Sequence, residues 1–262
     1  MRFLFALLAA AAALALPASD EMQPAKPTVF LVGDSTVKTG TKGQQGWGDP
    51  IAGLFDPAKA KVENFALGGR SSRTFITEGR WGKMLVSAKP GDIVLIQFGH
   101  NDSGAPDDPT RARGSLRGVG DESKEIDNPL TKQKEVVHTY GWYLRKYVAD
   151  AREKKMTPVI VAPIPHCPQK PVQEGEVEKN PYVGWAEEVA KAEKCHFINL
   201  NKLVMAKYAA LTPADIKEKY FTSADNTHTS PAGAELNAAC VAQGLRDLKD
   251  CPAKDWLLPE KK

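Results

Sequence analysis

Thr-Val-Phe-Leu-Val-Gly-Asp-Ser-Thr, residues 28–36, begins as an uninterrupted apolar run and turns polar at Gly33 with no spacer. A run that short and that continuous suits a strand buried on both faces, which is the habit of parallel sheets. Four more segments read the same way: a weaker "KVENFA" (61–66), a strong "DIVLIQFG" (92–99), "TPVIVAPI" (157–164) and "HFINL" (196–200). Amphipathic stretches separate them. In "TKQKEVVHTYGWYLRKYVADAREKK" (131–155), Val136, Val137, Tyr140, Leu144, Tyr147, Val148 and Ala151 share one stripe, which predicts a helix. "TPAD" (212–215) starts another, and Ser230 with Pro231 opens the last as N-cap and first-turn residue. Alternating strands and helices predict an α/β fold with a central parallel sheet and helices on both faces. No repeat or second domain is visible. From Ser103 to about Pro129 the chain carries Pro, Gly and charges without a period, basic first and acidic later. It reads as a loop, either solvated or substrate-binding.

The bulk numbers agree with one globular α/β domain. Of 262 residues 42% are hydrophobic and 26% charged, which excludes a disordered or fibrous chain. A net charge of +3 is too mild for a nucleic-acid-binding face. The N-terminus, "MRFLFALLAAAAALALPASDEMQ", has Arg2, an apolar core Phe3–Leu16 and small residues around Ala15 and Ala18. That is the pattern of a signal peptide over residues 1–18, leaving 19–262 as the mature domain. The apolar run is shorter than the roughly 20 residues that span a bilayer. Export to the periplasm or the outside is therefore expected, with no membrane contact in the mature form. An exported chain permits disulfides. From their positions, Cys240–Cys251 and Cys167–Cys195 are the expected pairs, in preference to a metal site, for which no C-x-x-C spacing exists.

Ligands of an open parallel sheet bind beyond the carboxyl ends of its strands. Here the first three strands run into "GDST" (33–36), "LGGRSS" (67–72) and "GHND" (99–102). Ser35 stands at that rim, where a hydroxyl becomes a nucleophile if a base takes its proton. Without G-x-S-x-G, the α/β-hydrolase elbow is not favoured. Two His/acid pairs offer a base: His100 with Asp102, and His228 with Asp225 three residues earlier. Adjacent residues at a strand end point in different directions. His100 and Asn101 therefore cannot both face one oxyanion, for which Asn101 offers an amide donor, and whichever does not face it, with Asp102, shapes the turn.

In this order, "GDS", the glycines of "LGGR", "G-x-N-D" and "D-x-x-H" resemble the four blocks of the SGNH (GDSL-type) hydrolases over roughly residues 28–248. "VFLVGDSTV", "NFALGGRSSRTFITEGRW", "QFGHNDSG" and "DNTHTSPAGAE" are similar to rhamnogalacturonan acetylesterases, and "RGSLRGVGDESKEIDNP" with "EVVHTYGWYLRKY" to their bacterial members. The resemblance implies a flavodoxin-like three-layer α/β/α sandwich and hydrolysis of acetyl esters on pectic polysaccharide. It implies Ser35 as nucleophile, His228 as base and Asp225 as its orienting acid. Ser35, Gly69 and Asn101 become the oxyanion donors, with Gly68 the alternative to Gly69. Neither a metal nor an organic cofactor is required.

Other acetylated polysaccharides such as xylan, a general lipase or thioesterase role, and a non-catalytic carbohydrate-binding protein are the competing readings. Arg70, Arg73 and Arg80 follow the second strand and are candidates to meet a polyanionic substrate, though each taken singly suits an ion pair or an exposed position better. His138 is expected within a helix, His196 at the start of a strand, and His166 on the rim.

Overall fold

The computed structural model describes residues 26–260. The expected signal peptide lies outside them. The strands are β1 (Thr28–Gly33), β2 (Lys61–Asn64), β3 (Ile93–Gln97), β4 (Ser123–Asp127), β5 (Lys134–His138), β6 (Thr157–Val161) and β7 (His196–Ile198). The helices are α1 (Ser72–Thr77), α2 (Arg80–Ser87), α3 (Tyr140–Glu153), α4 (Pro181–Ala192), α5 (Leu200–Tyr208), α6 (Pro213–Tyr220) and α7 (Pro231–Asp247). Five strands form one parallel sheet in the order β2-β1-β3-β6-β7. The chain leaves β1 towards one edge and β3 towards the other. The crevice beyond their carboxyl ends is thus the topological switch point, where ligands of such sheets bind.

Period-two alternation sends each strand's side chains into two separate cores. Val29 and Leu31 of β1 with Ile93 and Leu95 of β3 pack into one, with α5, α6 and α7. Phe30 and Val32 with Val94 and Ile96 pack into the other, with α1 to α4. Both faces are covered, giving the three-layer α/β/α sandwich.

Three expectations are corrected. The stripe beginning at Val136 is not all helix: residues 134–138 form β5, and α3 starts only at Tyr140, where the Thr139 side chain accepts from the Trp142 N–H. Val137 is buried while Val136 is 50% exposed, the alternation of a strand. His138 therefore ends a strand and stacks on Trp142 with ring centroids 3.8 Å apart. Second, the 103–129 segment is not all loop, since Ser123–Asp127 pairs antiparallel with β5. Only Ile126 of that strand is buried, so its sequence shows no apolar period.

Third, all four cysteines are free. Cys167 belongs to one core and Cys195 packs against the other, so the sheet stands between them. α7 continues for about two turns past Cys240 before the chain reaches Cys251, which opens a 3-10 turn instead. Burial pushes the Cys195 and Cys240 thiols up to about 11, keeping them protonated and inert.

The segment after β3 is held by a buried cation. Arg73, fully buried, forms a fork to both Glu135 carboxylate oxygens (2.7 and 2.9 Å). Its Nη1 donates to the carbonyls of Pro106 and Gly114. Arg73→Met leaves these acceptors stranded and is expected to lower unfolding stability by about 3–5 kcal/mol. Urea denaturation checks this: the midpoint should fall with the slope unchanged.

Candidate active site

Gly33 ends β1, and only glycine fits there. A Cβ would stand 2.6 Å from the Gln97 carbonyl oxygen and 2.5 Å from the Val37 side chain. The chain then turns tightly: the Asp34 carbonyl accepts from the N–H groups of Val37 and Lys38. Asp34 is fully buried, and its Oδ1 accepts from the Thr36 N–H (2.9 Å) and hydroxyl (2.8 Å). Behind the turn runs a one-way hydrogen-bond chain. The Trp47 indole N–H donates to Gln97 Oε1, and the Gln97 amide donates to Thr36 Oγ1, which donates to Asp34. The indole only donates, so the direction of every link follows from it.

Asp34 also faces His100. His100 Nε2 lies 3.1 Å from the Ile164 carbonyl oxygen, an acceptor only, so this nitrogen carries a hydrogen. Its Nδ1 is then turned to Asp34 Oδ2 at 3.5 Å. Burial opposes the charge on both groups, but each stabilises the other. His100 is raised and Asp34 lowered. Neighbouring Asp102 is buried and pushed up to about 6, even though Ser72 and Ser115 donate to it. Both residues shape the turn after β3, and neither contacts Ser35 in the hydrogen-bond network.

The residues that reach Ser35 come from the far end of the chain. His228 Nε2 lies 2.8 Å from Ser35 Oγ, and His228 Nδ1 lies 2.8 Å from Asp225 Oδ2. The other carboxylate oxygen, Oδ1, accepts from the backbone N–H groups of Thr227 (2.8 Å) and His228 (2.7 Å). Burial raises the Asp225 carboxyl, but those two N–H groups and the His228 ring outweigh it and hold the group down at about 2. The loop bearing both residues is pinned at its two ends. Lys217 donates to the Asp225 carbonyl (2.6 Å), and Ser230 caps α7 by accepting from the Gly233 N–H.

The third wall follows β2. Gly69 adopts φ +81°, a left-handed conformation that favours glycine. Leu67 N–H donates to the Gly33 carbonyl and Arg70 N–H to that of Leu67. Among the described residues, the N–H groups of Ser35, Gly68 and Gly69 have no protein acceptor. Asn101, 7% exposed, donates one amide hydrogen to the Arg70 carbonyl (2.9 Å), which leaves the second free. Ser35, His228, Gly68, Gly69 and Asn101 all open into one cavity of about 540 Å³. Its lining is polar: Leu67 is the sole large apolar side chain among the described lining residues.

The arginines after β2 do not line this cavity. Arg70 and Arg80 both pair with Glu78, and Arg73 is internal. Arg111 and Arg113, from the segment after β3, line it instead. The sequence left this basic segment open as solvated or substrate-binding, and it carried no signal for which of its arginines face the cavity. His166 stands on the rim as expected, its Nδ1 2.7 Å from Glu178 Oε1, beside a separate cavity of about 460 Å³.

The model of the GDSL-like Lipase/Acylhydrolase family matches residues 31–236. A rhamnogalacturonan acetylesterase of Emericella nidulans is 31% identical over 214 residues, 80% of this chain and 81% of that protein. Among solved structures, the YXIM protein of Bacillus subtilis superposes with a TM-score of 0.66 at 23% identity. That match covers 84% of this chain, and the chain spans only 56% of that structure. The acetylxylan esterase Axe2 of Geobacillus stearothermophilus superposes with a TM-score of 0.57 at 18% identity, over 89% of this chain and 97% of that one.

Proposed function

Since the chain belongs to the GDSL-like lipase/acylhydrolase family and is a carboxylic ester hydrolase, we propose that it is an exported serine esterase that removes acetyl groups from a pectic polysaccharide, rhamnogalacturonan, through an acetyl-enzyme. The observation that carries the reading is the unbroken run of contacts from Ser35 through His228 to Asp225, opening into a polar cavity.

Asp225 accepts from Nδ1–H, which leaves the Nε2 lone pair for the Ser35 proton. Ser35 Oγ then attacks the acetyl carbonyl. The oxyanion that forms takes hydrogen bonds from the N–H groups of Ser35 and Gly69 and from the free amide hydrogen of Asn101. Gly69 is preferred to Gly68 because it stands immediately before Arg70, as the glycine of the second block does in the family the chain resembles. The sugar alcohol leaves with the proton from His228. Water repeats the sequence on the acetyl-enzyme and releases acetate. A lining whose sole large apolar side chain among the described residues is Leu67 suits a two-carbon acyl group attached to a sugar better than a long acyl chain.

Acetate release tests the reading. kcat/KM is expected to be at least about tenfold higher on acetylated rhamnogalacturonan fragments than on acetylxylan fragments or a long-chain ester, following from about 1.4 kcal/mol of preferential transition-state binding. A higher value on xylan, as the name of Axe2 suggests for that enzyme, overturns the pectic assignment. A higher value on the long chain overturns acetylesterase specificity.

A further inference from the structure

The described arginines divide sharply. Arg70, Arg73, Arg80, Arg145, Arg152 and Arg246 each pair with a protein carboxylate. Arg117 lies over the Trp185 ring. Arg111 and Arg113 have no carboxylate partner among the described residues, and both line the cavity that contains Ser35. Arg113 spends one Nη1 bond on the Gly69 carbonyl (3.2 Å). Burial, and then repulsion from Arg111, lower its pKa. Asp34, Asp102 and Asp108 favour the charge on Arg113 from a distance, but none forms an ion pair with either arginine; Asp108 Oδ1 accepts from the Thr110 hydroxyl and from the N–H groups of Thr110 and Arg111.

The two guanidinium groups repel each other, and that of Arg113 is also partly withdrawn from water, while Arg111 is exposed. The backbone between them is also unfavourable. Ala112, buried, sits at φ +41°, where a residue with a side chain is strained, which brings both flanking arginines to the same wall. The surroundings hold this arrangement in place. Arg73 ties down Pro106 and Gly114, and the Ser115 N–H and hydroxyl both bond to Asp102. The turn that carries the pair is therefore braced, and neither guanidinium has an ion-pair partner among the described residues.

We propose that Arg111 and Arg113 form a carboxylate subsite, which seats a hexuronate residue of the substrate chain beside the sugar whose acetyl group meets Ser35. A guanidinium fork matches a carboxylate in geometry as well as charge. This rests on the polysaccharide acetylesterase reading and adds to it a rule: the uronate must be free, not esterified. Through the Arg113–Gly69 contact, a bound carboxylate also lies one residue from the proposed oxyanion donor. The subsite thus couples recognition of the acidic sugar to the place where the ester reacts.

The test compares one acetylated oligosaccharide with its uronates free and the same compound with its uronates methyl-esterified. Wild type is expected to favour the free acid by about tenfold to a hundredfold in kcat/KM, a preference that shrinks as salt is raised. Arg111→Gln is expected to cut that preference at least about tenfold, mainly through KM, because the exposed Arg111 bears on no packing contact. Arg113→Lys, which keeps the charge and loses the fork, is expected to cut it by less. Inhibition of aryl acetate hydrolysis by free galacturonate supplies a readout that needs no polysaccharide activity. Competitive inhibition in wild type, weakened in Arg111→Gln, supports the subsite even if the polysaccharide reading fails. A wild type blind to methyl esterification and to galacturonate overturns the subsite, as does an Arg111→Gln enzyme with the wild-type preference. Acetate release from the methyl ester alone would still leave the acetylesterase reading standing.

Discussion

Ser35→Ala is expected to lower kcat for acetyl ester hydrolysis by about 10⁶-fold, and His228→Ala by a similar factor. The reason lies in the 2.8 Å contact between Ser35 Oγ and His228 Nε2. The hydroxyl is a poor nucleophile until the imidazole takes its proton, and the imidazole has nothing to activate once the hydroxyl is gone. The two losses should therefore not multiply. The double variant should be about as slow as either single one, with residual turnover from the free amide donors of Ser35, Gly69 and Asn101. Ser35 sits on a turn braced by Asp34, Thr36, Gln97 and Trp47, none of which it bonds through its own side chain, so thermal unfolding should barely move. Steady-state kinetics on an aryl acetate, with active-site titration to exclude traces of wild type, decide the matter. Losses of only tenfold, or a double variant slowed by the product of the two, would falsify the assignment.

Asp225→Asn is expected to reduce kcat by about 10⁴-fold with little change in fold. The expected cause is a tautomer. Asp225 Oδ1 holds two backbone N–H groups, of Thr227 and His228. An Asn there must keep its single oxygen on those donors, which turns its NH₂ towards His228 Nδ1. That nitrogen then has to accept, the ring hydrogen moves to Nε2, and Ser35 faces an N–H where it needs a lone pair. Asp225→Ala lacks that misdirecting donor and should be the less damaging change relative to the side-chain volume it removes. A nitrogen-15 NMR spectrum of the imidazole checks it directly: Nδ1–H in wild type, Nε2–H in Asp225→Asn. The pH behaviour also has a definite sign. A carboxylate held at about 2 contributes its stabilisation above its unfolded value of about 3.9 and loses it as the pH falls through about 2. Between about pH 5 and 8 Asp225 stays charged, so its own titration adds no pH dependence to the wild-type rate in that range.

Much of the sheet was legible because a strand buried on both faces has to be apolar throughout, as Val29–Val32, Ile93–Ile96 and Val159–Val161 are. The β4–β5 ribbon was not, because a strand pair mostly in solvent needs few apolar residues. One buried side chain in β4 leaves no period to read. The cysteines misled for a related reason. Separation along the chain says nothing about which face of a sheet a residue occupies, and Cys167 and Cys195 fall on opposite faces. The basic segment after β3 was visible as composition, but its separation into Arg111 and Arg113 at the cavity and Arg117 on Trp185 depends on a strained turn at Ala112 that no pattern announces.

By itself the sequence determined the parallel sheet, the polar rim at its carboxyl ends and the small set of residues from which a site can be built, because each follows from local pattern and from the order of elements. The motif resemblance pointed to Asp225 and His228, but only the tertiary structure supplies the contacts that bring them to Ser35 and hold His100 elsewhere. His100, three residues past β3, is held by the Ile164 carbonyl and Asp34. His228, 193 positions beyond Ser35, is the residue within hydrogen-bonding distance of it. That outcome depends on the packing of α6 and α7 against one face of the sheet, and packing is set by contacts between segments that are far apart in the chain.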